Sequence, residues 1–124
     1  MRELTIFKDD GAEQVIGASL VAGTYYAEFT PEDSERCRVN GFHWIWDATV
    51  AATVTVEGTN IPSISAYAAA SSGWDPQTAT VPTIAGGSAG NDLQTLTNTG
   101  AGRLRTKLVV TTGGVLRVYE NHKH

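Results

Sequence analysis

The fold is decided by the stretch 37–46, CRVNGFHWIW. Side chains on a β-strand point alternately to its two faces, so every second residue shares a face. One face of this stretch carries three large aromatic residues, Phe42, Trp44 and Trp46. Aromatic side chains bury large apolar areas, and no other segment offers as much. The sequence therefore predicts a central strand at 37–46 whose aromatic face lies in a hydrophobic core.

The same two-residue period continues on both sides of this strand, between clusters of turn residues. It predicts further strands at 3–8, 14–20, 25–29, 51–58, 61–68 and 78–84, a brief one at 93–96, and two long ones between 103 and 119. Residues 47–50 are expected to be a hairpin connection to the strand at 51–58. Thr, Pro and several acidic residues at 30–35 predict a single helical turn.

The last two strands predict a hairpin with a defined register. Val110 belongs to an apolar alternation before Gly113, and Leu116 and Val118 continue it afterwards. A connection centred on Gly113 places Val110 opposite Leu116, whereas a two-residue Gly-Gly turn would point the two apolar faces in opposite directions. A shift of one residue moves every side chain to the other face. Burial therefore predicts the first register.

Together these patterns predict an all-β fold: one antiparallel β-sandwich of about eight short strands with at most one short helical turn. The 124 residues fit a single domain, 1–124. Within it, 85–102 is rich in Gly, Ser and Thr and predicts a flexible loop or arm. Cys37 is the only cysteine, so the fold must form without an internal disulfide. No stretch has the apolar length of a signal peptide or membrane span, so we expect a soluble protein without a membrane partner.

The composition and motifs argue against several classes of function. A net charge of −4 is unfavourable for a dedicated nucleic-acid binder. The chain holds no HExxH motif, no phosphate-binding loop and no cysteine pair for zinc. His43 lies on the strand face opposite the aromatic residues, where a surface or interface position is expected. His122 and His124 lie at the C-terminus. The sequence therefore assigns no catalytic residue, cofactor or metal, and it predicts that the protein is not an enzyme.

Aromatic residues near turns are candidate partner contacts. Trp74 and Asp75 lie in a loop, where an exposed ring beside a carboxylate can stack on a sugar or anchor a protein interface. The alternative is that Trp74 folds back and closes one end of the sandwich. Tyr26 follows Tyr25 on a strand, so one of the two rings points away from the core and is another candidate contact.

A row of basic residues forms the second group of candidates. Arg103, Arg105 and Lys107 share one face of a strand, and Arg117 is expected on the neighbouring strand. A nucleic-acid surface would need more positive charge and interleaved aromatic rings. An acidic partner surface, an acidic segment of the same chain, or protection of a sheet edge fits this row better.

Three stretches resemble small β-sandwich proteins of tailed bacteriophages. Residues 51–60, AATVTVEGTN, resemble a strand-and-turn of that family, and residues 102–118 resemble its final hairpin. The strand Phe42–Asp47 fits the same arrangement, and the resemblance covers roughly residues 40–120. It implies a jelly-roll-like sandwich, and it carries over no catalytic or contact residue because the family has no catalytic residues and its contacts vary.

The resemblance implies a virion structural protein. Capsid decoration (cement) proteins of this type bind the major capsid protein or another virion protein, stabilise the assembled shell and commonly form homotrimers. The expected location is the virion, assembled in the host cytoplasm. Two alternatives stay open: a tail or fibre component, and a carbohydrate-binding module that binds glycan with Trp74 and its neighbours.

Overall fold

Strands account for most of the chain in the computed structural model, which describes residues 2–29, 39–77, 79–96 and 101–123. The predicted helical turn at 30–35 and Cys37 lie outside the described residues. The strands are β1 (Arg2–Glu3), β2 (Phe7–Lys8), β3 (Ser19–Leu20), β4 (Gly23–Glu28), β5 (Val39–Trp46), β6 (Ala51–Thr59), β7 (Asp75–Pro76), β8 (Thr83–Ala85), β9 (Gly90–Leu96), β10 (Arg103–Thr112) and β11 (Gly114–Lys123). One 3₁₀ turn, Ala70–Ser72, is the single helical element of the described residues.

The strands form two antiparallel sheets. Sheet 1 has the order β1-β11-β5-β9, and β3 also pairs with β11. Sheet 2 has the order β2-β4-β10-β6-β7, and β8 also pairs with β6. Successive strands from β3 to β6, and again from β9 to β11, lie in opposite sheets. The orders β3-β11-β5-β9 and β4-β10-β6-β8 are those of a jelly roll, a sandwich made of two Greek keys. The predicted all-β antiparallel sandwich is confirmed.

The core lies between the two sheets and contains the residues that alternation predicted. The nine that are buried there are Phe42, Trp44, Val54, Val56, Leu104, Leu108, Val110, Leu116 and Val118. Trp46 is partly buried and packs against them. The Trp44 indole Nε1 donates a hydrogen bond of 3.0 Å to Thr106 Oγ1 of the opposite sheet. This bond satisfies the one polar group of the largest core side chain and joins the two layers.

The C-terminal hairpin prediction is wrong. β10 pairs with β4 and β6 in sheet 2, whereas β11 pairs with β1, β3 and β5 in sheet 1. Val110 is therefore opposite Gly23 and Ala52, and Leu116 is opposite Trp46. Both strands bury the expected faces. An apolar face on each strand is compatible with a hairpin in one sheet and also with two strands that face each other across the sandwich. Residues 47–50 likewise join β5 to β6 across the sandwich and do not form a hairpin.

Of the predicted strands, two are shorter than the alternation indicated and one is absent. The stretch 14–20 forms a strand only at Ser19–Leu20, and Val15 is 77% exposed. The stretch 61–68 contains no strand, and the described part of 78–84, residues 79–84, contributes only to Thr83–Ala85. Apolar residues at alternate positions are insufficient where no neighbouring strand supplies hydrogen-bond partners.

Two further segments differ from the predictions. The strand expected at 3–8 divides into β1 and β2, which lie in opposite sheets, and Leu4 and Ile6 are buried where the chain crosses. Within 85–102, where a loop with one brief strand was predicted, β9 extends over Gly90–Leu96 and pairs with β5 along its whole length. This segment therefore forms an edge of sheet 1.

The crossing from β10 to β11 requires glycine. A Cβ atom on Gly114 would lie 2.6 Å from the backbone nitrogen of Val50 and 2.7 Å from Asp47 Oδ1. The Asp47 carboxylate in turn accepts 3.0 Å hydrogen bonds from the backbone N–H groups of Thr49, Val50 and Val115. These bonds connect the β5–β6 crossing to the start of β11.

Gly114→Ala is expected to destabilise the protein by about 1–3 kcal/mol, because the added methyl overlaps backbone atoms and the crossing must shift. Urea unfolding measures the change. Ser88→Ala, at an exposed position, is the control and should stay within about 0.5 kcal/mol of wild type. Equal stability of all three proteins would contradict the close approach.

The Asp47 carboxylate should make the free energy of unfolding depend on pH. Hydrogen bonds from Val115, Val50 and Thr49 lower the pKa of Asp47 in the folded state, so the unfolded chain binds this proton first. Its stabilising contribution is present above the unfolded pKa of about 3.9 and is lost as the pH falls through the lower folded pKa. In melting experiments between neutral and acidic pH, Asp47→Asn should lose less stability than wild type; parallel curves would argue against this role.

Candidate functional site

The outer face of sheet 2 carries a cluster of charged and aromatic side chains that we call the arginine cluster. It consists of Tyr26 and Glu28 on β4, Glu57 on β6, Arg103 and Arg105 on β10, and Trp74 just before β7. The register places Arg105 between Glu28 and Glu57 on the two neighbouring strands. Outward positions of three adjacent strands therefore bring opposite charges together.

Arg105 lies at the centre of the cluster and is fully buried. Its Nε donates a 2.9 Å hydrogen bond to Glu57 Oε1, and its Nη2 lies 2.7 Å from the same oxygen. The guanidinium lies 4.0 Å from the ring centroid of Tyr26 and 4.3 Å from that of Trp74. A desolvated cation between two aromatic rings gains about 2 kcal/mol or more, and the ion pair prevents the larger cost of an unpaired buried charge.

The loop of residues 60–74, which we call the covering loop, lies over this cluster. Arg105 Nη1 donates to the carbonyl oxygens of Ala66 and Ala68 at 3.1 and 2.8 Å. Arg103 Nη1 donates to those of Ile61, Pro62 and Ile64 at 3.1, 3.1 and 2.8 Å. The Trp74 indole Nε1 donates to the carbonyl of Ser65 at 3.0 Å. Three side chains therefore supply the hydrogen bonds that a loop without strand partners needs.

The second arginine forms a two-point ion pair. Arg103 Nε and Nη2 donate to the two carboxylate oxygens of Glu28 at 2.8 and 2.7 Å. The hydrogen bond that Arg103 donates to Glu28 raises the pKa of Arg103. Burial lowers the pKa of Arg105, although the hydrogen bond to Glu57 opposes this, and burial raises the pKa of Tyr26. Arginine remains charged through such shifts because its ordinary pKa is above about 12.

Four of the seven residues predicted to contact partners, Tyr26, Trp74, Arg103 and Arg105, belong to this covered cluster. Trp74 is 2% exposed and Tyr26 is 4% exposed. Tyr26 does point out of the sandwich, as expected of one tyrosine in the pair, but the covering loop buries it. Trp74 folds back, yet it lies on the outer face of sheet 2 and does not close an end of the sandwich. Arg103 and Arg105 bind acidic residues of their own chain, which is one of the uses the sequence left open.

The other predicted contacts are dispersed. Asp75 is exposed on β7, and Lys107 is partly exposed on β10. Arg117 lies on β11, in the sheet opposite β10, and forms a two-point ion pair with Glu3 at 2.8 and 2.9 Å. The predicted row of four basic residues on neighbouring strands therefore does not exist.

Sheet 1 has an outer face of a different kind, which we call the open face. It is formed by Arg117 and Tyr119 on β11, His43 and Ile45 on β5, and Asn91 and Leu93 on β9. None of these six residues is buried, and Leu93 is 55% exposed. The register arranges them in two rows across the sheet, Arg117–Ile45–Asn91 and Tyr119–His43–Leu93.

Polar contacts fix the side chains of the open face. His43 Nε2 and Asn91 Oδ1 lie 3.1 Å apart, and the rings of His43 and Tyr119 have centroids 6.3 Å apart. Arg117 is held by Glu3 at the edge of the face. The result is a surface of aliphatic, aromatic, amide and guanidinium groups, which suits a protein partner better than a small molecule enclosed in a cavity.

Other parts of the described chain offer less. A shallow groove of about 320 Å³ lies between β6 and β7, with Asn60, Asp75 and Gln77 among its lining residues. Within the described ranges no three His, Cys, Asp or Glu side chains are grouped as a metal site would need. No helix in these ranges has the length and apolar character to span a membrane.

One motif was missed at the level of sequence. Residues 86–90, GGSAG, match the Gly-x-Ser-x-Gly pattern of hydrolase nucleophiles. In hydrolases that serine lies on a turn from a strand to a helix. Here the motif connects β8 to β9, two strands in different sheets. The motif therefore lacks the strand-to-helix turn that exposes the nucleophilic serine in hydrolases.

Glu28 and Glu57, the partners of the two arginines, were also missed as members of a site. Both occupy outward positions on predicted strands, which was a detectable feature. Their proximity to β10 depends on the strand order β4-β10-β6, which local patterns do not contain.

No protein-family model matches the chain, and no curated protein is significantly similar to it.

Arg105→Met is expected to destabilise the protein by about 3–5 kcal/mol, because it leaves Glu57 buried without a counter-charge. The double variant Arg105→Met/Glu57→Gln should recover a large part of the loss. Lys107→Met, two residues along the same face, is the matched control and should change stability by about 0.5 kcal/mol or less. Denaturant unfolding gives all values, and an equal loss in the single and double variants would contradict the pairing.

Proposed function

We propose that this chain is a non-enzymatic structural protein of a virus particle, of the capsid decoration type found in tailed bacteriophages. The open face of sheet 1 would bind the major capsid protein or another virion protein. Binding the assembled lattice more tightly than free subunits would stabilise the shell by mass action.

The observation that carries this proposal is the difference between the two outer faces of the sandwich. The covering loop lies over part of the outer face of sheet 2, and the two arginines there pair with acidic residues of the same chain. The open face leaves His43, Ile45, Tyr119 and Leu93 partly or largely exposed. Exposed aromatic side chains and arginine are enriched at protein–protein interfaces.

Two further features support a virion role. Residues 51–60 and 102–118 resemble phage sandwich proteins, and they form β6 and the β10–β11 crossing of the jelly roll. Jelly rolls are found in viral capsid proteins as well as in lectins and cupins. A glycan platform built on Trp74 and Tyr26 is not supported, because both rings are buried.

Sedimentation of purified particles tests the proposal. Wild-type protein added to shells that lack it should co-sediment with them at a fixed ratio. Tyr119→Asp should reduce binding at least tenfold, because a carboxylate on the open face must be desolvated. Thr55→Asp is the matched control, since Thr55 is partly exposed on the outer face of sheet 2, and it should bind as wild type does.

Other outcomes would redirect or reject the proposal. Absence of the chain from purified particles would contradict a virion role. Association with tails instead of shells would favour the tail or fibre alternative. Wild-type binding by Tyr119→Asp would show that the open face is not the binding surface.

A further inference from the structure

Strand β9 is the longest strand edge left without a partner in the described chain. Its seven residues, Gly90–Leu96, pair with β5 on one side, and no described strand pairs with the other side. The opposite border of sheet 1 is covered by the two-residue strands β1 and β3, and sheet 2 ends in the short strands β2, β7 and β8. An edge of this length presents a row of unpaired backbone N–H and C=O groups that can bind another strand.

The two faces of β9 have different chemistry. Asp92 and Gln94 are opposite Trp44 and Phe42, so they point toward the interior of the sandwich. Gln94 Nε2 donates to both carboxylate oxygens of Asp92 at 3.0 Å. Leu93 points to the open face, opposite His43.

We propose that β9 pairs in antiparallel fashion with β9 of a second copy of this chain, about a two-fold axis at Leu93. Identical strands related by a two-fold axis form an isologous contact, in which each residue meets its symmetry-related partner. This inference concerns self-association and does not rest on the proposed function.

The register follows from symmetry, length and charge. The axis must lie midway between the two copies of one residue, which are then directly opposite each other. A residue cannot be opposite its sequence neighbour, because neighbouring residues point their backbone groups to opposite edges of a strand. An axis at Asp92 would place two carboxylates directly opposite each other, which is destabilising. An axis at Gln94 would place Leu96 opposite Asp92. The axis at Leu93 pairs all seven residues of β9.

The same register is chemically complementary. Each Asp92 faces the Gln94 of the second copy, so an amide donor lies beside each carboxylate. Leu93 packs on its symmetry-related Leu93, which covers a side chain that is 55% exposed in the single chain. Asn91 faces Thr95, a polar pair on the outer side. Self-pairing therefore places apolar next to apolar and donors next to acceptors over residues 91–95 of this edge.

The pairing has consequences for the assembly. The two-fold axis is perpendicular to the sheet, so sheet 1 continues from one copy into the next and both open faces point to the same side. The contact produces a dimer or another even-numbered oligomer, in contrast to the trimer that the phage resemblance implies.

Light scattering coupled to size exclusion tests the contact. Wild-type protein is expected at twice the mass of one chain at micromolar concentration. Leu93→Lys, which brings two ammonium groups together at the axis, should weaken the dimer at least tenfold. Val21→Lys is the matched control at an exposed apolar residue outside β9 and should remain dimeric. Circular dichroism verifies that each variant is folded.

A covalent test fixes the register. Antiparallel partners have Cα atoms about 4.5 or 5.5 Å apart, and both distances suit a disulfide. Leu93→Cys should form a disulfide dimer on mild oxidation, with peptide mapping locating the bond between the two Cys introduced at position 93. Wild type, which keeps Cys37, and Val21→Cys should not.

Four results would overturn the inference: a monomeric wild type, a trimer, a Leu93→Lys variant that keeps the wild-type mass, or a cross-link at a different position. The particle-binding experiment is separate, so a failure of this contact leaves the assignment of the open face untouched, and the converse also holds.

Discussion

The jelly roll depends on one constraint: each long strand must bury one face against the opposite sheet. Phe42 and Trp44 on β5 meet Leu104 and Leu108 of β10 in a common core, and the Trp44–Thr106 hydrogen bond joins the layers at its centre. The chain satisfies the constraint by crossing between sheets, and each crossing needs its own device. At the crossing from β10 to β11, the absence of a side chain on Gly114 allows the backbone of Val50 to approach closely. The Asp47 carboxylate there accepts hydrogen bonds from the N–H groups of Val50 and Val115.

Charge, and not apolar surface, organises the outer face of sheet 2. Arg105 at an outward position would normally extend into water, yet here it is buried between two aromatic rings. Burial of a guanidinium costs several kcal/mol unless it is paired, which Glu57 provides. The covering loop has no strand partners, and its carbonyl groups accept hydrogen bonds from Nη1 of each arginine. The loop and the ion pairs therefore depend on each other.

The sequence allowed the inward-facing residues to be predicted, but not the sheet to which each strand belongs. Alternation predicts that Val110 and Leu116 are buried. It does not distinguish a hairpin within one sheet from two strands in opposite sheets. The same limit explains the candidate site. Arg103, Arg105, Tyr26 and Trp74 carry the chemistry of a binding surface, and only the order β4-β10-β6 together with the return of the covering loop shows that they bind one another. Long-range pairing, not local preference, decides these features.

The two outer faces of the sandwich therefore differ: the side chains of the arginine cluster on sheet 2 bind one another and the covering loop, whereas those of the open face on sheet 1 are exposed or partly exposed. Sheet 1 holds both the open face and the edge of β9 that no described strand pairs with. The two features are compatible because the face presents side chains and the edge presents backbone groups. Backbone groups of β9 lie in the plane of the sheet, whereas the side chains of His43, Ile45 and Leu93 are perpendicular to it. Pairing through the edge therefore extends the open face without covering it, so that a flat partner would meet two copies at once and gain affinity from the second contact.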